Sequence, residues 1–88
     1  MSWHTAIMTA REFTKFRRDL KQEYRREIAA GRVAGYTVFA RKREAGDHLL
    51  FIPPAAAILF ERIPTWKERL KKHDGPLDLR GCAALPLG

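Results

Sequence analysis

Cysteine and serine each occur once, as Cys82 and Ser2, and asparagine is absent from the 88 residues. A single cysteine excludes an intramolecular disulfide and any site built on a cysteine pair. Between Gly81 and Ala83 it reads as a small packing residue. No base stands at a recognisable spacing from Ser2 or Cys82, so nucleophilic catalysis has no constellation to work with. Zinc ligands come in pairs about two to five residues apart, whereas among His4, His48, His73 and Cys82 the nearest two are 9 apart. Phosphate-cradling glycine loops are missing as well. These gaps imply no metal, no cofactor and a chain that is not an enzyme.

Long apolar runs are lacking too. The longest uncharged stretch, Leu49 to Phe60, has 12 residues and contains Pro53 and Pro54, well short of the roughly 18 needed to span a bilayer. The first ten residues carry no Lys or Arg and lead into charged sequence, which predicts no secretory signal, no membrane partner and a cytoplasmic location. Of the 45% hydrophobic residues 12 are Ala, leaving 28 larger apolar side chains. That is enough for one small core, so residues 1–88 are expected to form a single domain.

Charge is the most informative feature. The net charge is +7, and residues 11–43 hold 11 Lys/Arg against 4 Asp/Glu, while residues 44–88 carry 6 of each sign. The whole excess lies in one third of the chain, which points to an anionic partner, whether nucleic acid, acidic protein or anionic lipid.

Thr9-Ala10-Arg11-Glu12 has the form of a capping box, predicting a helix from about Ala10. Phe13, Phe16, Leu20, Tyr24 and Ile28 recur at spacings of three and four, one apolar stripe, and Gly31 supplies the stop. Glu12, Asp19, Glu23 and Glu27 fall on one flank of that stripe; Arg11, Lys15, Arg18, Lys21, Arg25 and Arg26 fall across the solvent side. Val33 to Arg43 alternates as a strand, with Tyr36, Val38 and Ala40 on one side and Thr37, Phe39 and Arg41 on the other. Glu44 to Asp47 reads as a hairpin connection into a second strand, His48 to Ile52, which Pro53 and Pro54 end. Ala55 to about Arg62 reads as a buried helix, and Thr65-Trp66-Lys67-Glu68 repeats the capping-box form ahead of a short helix to His73.

The fold class is therefore α+β: a long N-terminal amphipathic helix, an antiparallel hairpin and one or two short helices. Trp3 to Met8 and the 77–88 stretch read equally as edge strands or tails; if both are strands, the order becomes the ferredoxin-like β-α-β-β-α-β. Poor strand material at both ends, Pro86 included, favours the alternative in which a homodimer covers the sheet, since Leu50, Ile52, Ile58 and Phe60 need burial somewhere.

Gly35-Tyr36-Thr37-Val38-Phe39 resembles a fragment of the aromatic strand motif of RNA-recognition domains. It covers five residues, lacks the basic residue before Gly35, has Thr37 where a small residue belongs, and follows the first helix instead of forming a third strand. No family assignment follows, and Tyr36 and Phe39 are expected to pack against the first helix. The resulting expectation is a binding module that grips a nucleic-acid backbone with Arg11, Lys15, Arg18 and Arg25 on the helix and Arg41, Lys42 and Arg43 at the hairpin tip. The competing expectation is a protein-interaction subunit or homo-oligomeric adaptor.

Overall fold

The Thr9 hydroxyl accepts from the Glu12 backbone N–H at 3.2 Å and the Glu12 carboxylate accepts from the Thr9 N–H at 2.9 Å. This reciprocal cap starts the long helix α1, Ala10–Ala29, in the computed structural model, which describes residues 2–32 and 35–86. Ahead of it runs strand β1, His4–Met8. After it come β2, Phe39–Lys42, and β3, His48–Ile52, then the short helices α2, Pro54–Glu61, and α3, Pro64–Lys67. Two-residue strands β4, Lys71–Lys72, and β5, Ala83–Ala84, complete the chain.

All strand pairs are antiparallel and their order is β4-β1-β3-β2-β5. Strand β3 lies between β1 and β2, the strands that α1 connects. The first seven elements thus follow a split β-α-β-β-α-β order, but its last strand is Lys71–Lys72, from the segment expected as helix, and the 77–88 stretch enters only as β5 at the far edge. Poor strand propensity at the termini is overridden by pairing. His4 to Met8 aligns residue for residue with Ile52 to His48, and each added strand needs only two partners. The premise for a covering second chain goes with it: Leu50, Ile52 and Phe60 are buried within this one, and of that group only Ile58, 41% exposed, is not.

Alternation sorts the sheet into two faces. Ala6, Met8, Ala40, Leu50 and Ile52 enter one core with Phe16 and Leu20 of α1 and Ala56, Ala57, Leu59, Phe60 and Trp66 of the second helical segment. There Phe16 stacks on Phe60 at 4.2 Å and meets Trp66 edge-on at 5.4 Å. The other face carries Thr5, Ile7, Phe39, Arg41, Leu49 and Phe51. Residues 73–82 join β4 at one edge to β5 at the other and touch this second face, His73 edge-on to Phe51 and Gly81 against the Arg41 side chain.

Several expectations are corrected. The apolar stripe stops short of Ile28, which is 48% exposed, and its place is taken by Glu23 and Glu27, both buried. The predicted 33–43 strand pairs only over Phe39–Lys42, though Tyr36 and Val38 remain buried on the predicted side; Val33 and Ala34 lie outside the described residues. Phe39 faces away from α1 and lies 6.3 Å from Trp3, whereas Tyr36 does pack on α1, edge-on to Tyr24. The predicted Thr65–His73 helix ends at Lys67, because Pro64 starts it earlier and the open edge of β1 takes up Lys71 and Lys72. At the far end the pairing residues are Ala83 and Ala84, not Leu77 and Leu79.

Candidate nucleic-acid interface

Helix α1 carries both signs of charge and segregates them. All four of its carboxylates turn toward the protein. Glu12 pairs with the Arg69 guanidinium, which also donates to the Ile7 carbonyl at 2.6 Å and so caps the β1 edge. That pairing, with the cap N–H of Thr9, lowers the Glu12 pKa from 4.5 to about 2. Asp19 accepts from the buried Trp66 indole N–H at 2.6 Å. Glu23 meets Arg26 at 3.2 Å. Glu27 accepts from Arg32 Nε at 2.6 Å and from the Tyr36 hydroxyl at 3.4 Å, with Arg62 at 3.6 Å. The Arg32 hydrogen bond outweighs burial and holds the Glu27 pKa below its ordinary value. Conversely, burial beside that carboxylate raises the Tyr36 pKa.

The cations take the other side. Among the described residues, Arg11, Lys15, Arg17, Arg18, Lys21 and Arg25 enter no salt bridge, whereas Arg26, Arg32, Arg43, Arg62, Arg69 and Arg80 do. At about 100° per residue, Arg17, Lys21, Arg25, Arg18 and Arg11 fit within an arc of about 120°. Thr14 and Gln22 lie on the same exposed side and help line two shallow depressions between these cations. Lys15 stands on the opposite border of the exposed side, about 160° from Arg17.

Two of the three hairpin cations do not share this surface. Arg43 grips Asp47 with two hydrogen bonds, at 2.6 and 2.5 Å, and lowers the Asp47 pKa. It closes the turn and is spent there. Arg41 pairs in register with Leu49 on the face turned away from α1, where an added Cβ on Gly81 would sit 3.5 Å from its Cδ. Only Lys42 lies on the helix side, opposite His48. The His48 ring stacks on Phe13 at 4.2 Å, and Arg17 covers Phe13 at 5.7 Å, so packed groups run from the ridge to the strand position opposite Lys42. Arg17 and Lys21 thus stand on the same exposed cationic side and were missing from the expected set. The signal for both was available in sequence, since Arg17, Lys21 and Arg25 follow one another at intervals of four.

Other polar groups are dispersed. Ser2, His4, Glu61 and Lys72 line a groove beside α2, yet no hydrogen bond links them among the described residues. His73 Nε2 lies 3.1 Å from the Pro76 carbonyl, Cys82 is a half-buried free thiol, and no described group of three or more His, Cys, Asp or Glu could hold a metal. No described helix is long and apolar enough to cross a membrane. Compared with protein-family models, curated proteins and solved structures, the chain has no match in any of the three.

Proposed function

We propose that this chain is a small non-enzymatic binding module that holds a nucleic-acid backbone on the outward ridge of α1, through Arg11, Arg17, Arg18, Lys21 and Arg25 with Lys42 at its end. The supporting observation is the segregation of charge along one helix. Solvated helix faces ordinarily intersperse signs, because opposite charges three or four residues apart stabilise the helix and like charges destabilise it. Here every acid of α1 is engaged inward and the outward side keeps only cations. Such a field attracts polyanions and releases their counterions.

About five neutralised phosphates predict a slope near −4.5 in log K against log salt, hence an affinity loss of roughly 10² to 10³ between about 50 and 200 mM salt. Fluorescence anisotropy with a labelled oligonucleotide reads this directly. Replacing Arg18, Lys21 and Arg25 together by Ala should abolish most of the binding, while replacing Lys71 and Lys72, on the far edge strand, should not. Absence of binding at low salt, or indifference to the triple replacement, overturns the reading.

A further inference from the structure

We infer that the ridge of α1 is shaped for the major groove of duplex DNA, not for single strands or duplex RNA; this rests on the backbone-binding reading above and names its substrate. Three observations carry it.

The first is the layout of side chains around the helix. Arg11, Thr14, Arg18, Gln22 and Arg25 run down the middle of the exposed side, with Arg17 and Lys21 along one border and Lys15 along the other. Cations on two borders suit two phosphate strands. Between them stand side-chain types that serve base edges as well as phosphates: Arg donates two hydrogen bonds to guanine O6 and N7, and Gln pairs with adenine N6 and N7. The second is size. A helix with its side chains is about 10–12 Å across and the B-form major groove about 12 Å wide, while Arg11 to Arg25 spans about 21 Å along the axis. A-form RNA closes that groove to side chains.

The third is what the ridge does not offer. Single-strand binding relies on rings that stack on unpaired bases, and the aromatic residues of α1 are committed elsewhere. Phe16 is buried against Phe60 and Trp66, Tyr24 meets Tyr36, and Phe13 is engaged by His48 and Arg17. Trp3 and Phe39 lie on the opposite face of the sheet. The ridge can hold phosphates and donate to base edges, but it offers unpaired bases no aromatic ring.

The test uses the full chain and three labelled probes of one mixed sequence of about 24 units: duplex DNA, duplex RNA and single-stranded DNA. Duplex DNA should bind about tenfold or more tighter than either alternative at equal salt. In a lightly N7-methylated duplex pool, methylated guanines should be depleted from the bound fraction, because the methyl group blocks the acceptor in the major groove. Equal binding of all three probes, tighter binding of either RNA or single-stranded DNA, or indifference to methylation would overturn the groove assignment and leave the backbone reading standing. No binding of any probe would remove both.

Discussion

The inner and outer sides of α1 use charge in opposite ways. On the inner side Glu12, Asp19, Glu23 and Glu27 each have a partner, and three of those partners, Arg69, Trp66 and Arg62, come from the stretch around α2 and α3, about 35 to 57 residues further along the chain. On the outer side Arg11, Arg17, Arg18, Lys21 and Arg25 repel one another with no described carboxylate between them. One side specifies how the helices sit together; the other is held at a cost to helix stability. The same residue class, a charged side chain on a helix, therefore gives tertiary specificity or an exposed field according to which way it turns.

The largest effect should come from the inner side. Leu20 is 1% exposed between the sheet and the second helical segment, and Leu20→Ala should cost about 2–5 kcal/mol. In a domain this small, much of the total stability would be lost. Urea denaturation followed by circular dichroism measures it. A change below about 1 kcal/mol would mean that α1 is not seated on the core as described.

Acid should separate the two sides next. Folding lowers the Glu12 pKa from 4.5 to about 2, so the folded state binds that proton more weakly than the unfolded one. The resulting stability is complete above about pH 4.5 and disappears as the pH falls through about 2. Glu12→Gln should therefore be less stable than the parent at pH 7 and converge on it toward pH 2. Melting curves that stay parallel across this window would show that the Arg69 pairing contributes nothing.

Much of this fold is legible in the sequence, for identifiable reasons. Helix α1 announces both ends, by the Thr9/Glu12 box and Gly31, and β3 is bounded by Asp47 and Pro53 around the apolar run Leu49 to Ile52. The α3–β4 region misleads because a second box-like pattern at Thr65/Glu68 competes with Pro64 and with an unpaired strand edge that only the tertiary structure supplies. The candidate site divides the same way. Exposed cations follow from helical periodicity. The hairpin cations do not: Arg43 is claimed by Asp47 across a turn, and Arg41 is sent to the far face by strand register. Glu23 and Glu27 reverse the usual expectation for charge, and their burial becomes intelligible only beside Arg26, Arg32, Arg62 and Tyr36.

The smallest effect is the sharpest test of why the outer side stays basic. Lys21 stands four residues from both Arg17 and Arg25, two like-charge pairs that each destabilise a helix by about 0.2–0.5 kcal/mol. Lys21→Glu turns both repulsions into attractions and should raise stability by about 0.8–2 kcal/mol at low salt. The gain should shrink in about 0.5 M salt, where these exposed charges are screened. The same substitution places a carboxylate amid the phosphate contacts and should weaken nucleic-acid binding more than Lys21→Ala does. A variant that melts higher yet binds worse is the signature of a surface whose repulsion is retained for its ligand. If Lys21→Glu instead gains stability and leaves binding unchanged, the cations of α1 are solvated surface and the contrast between its two sides carries no function.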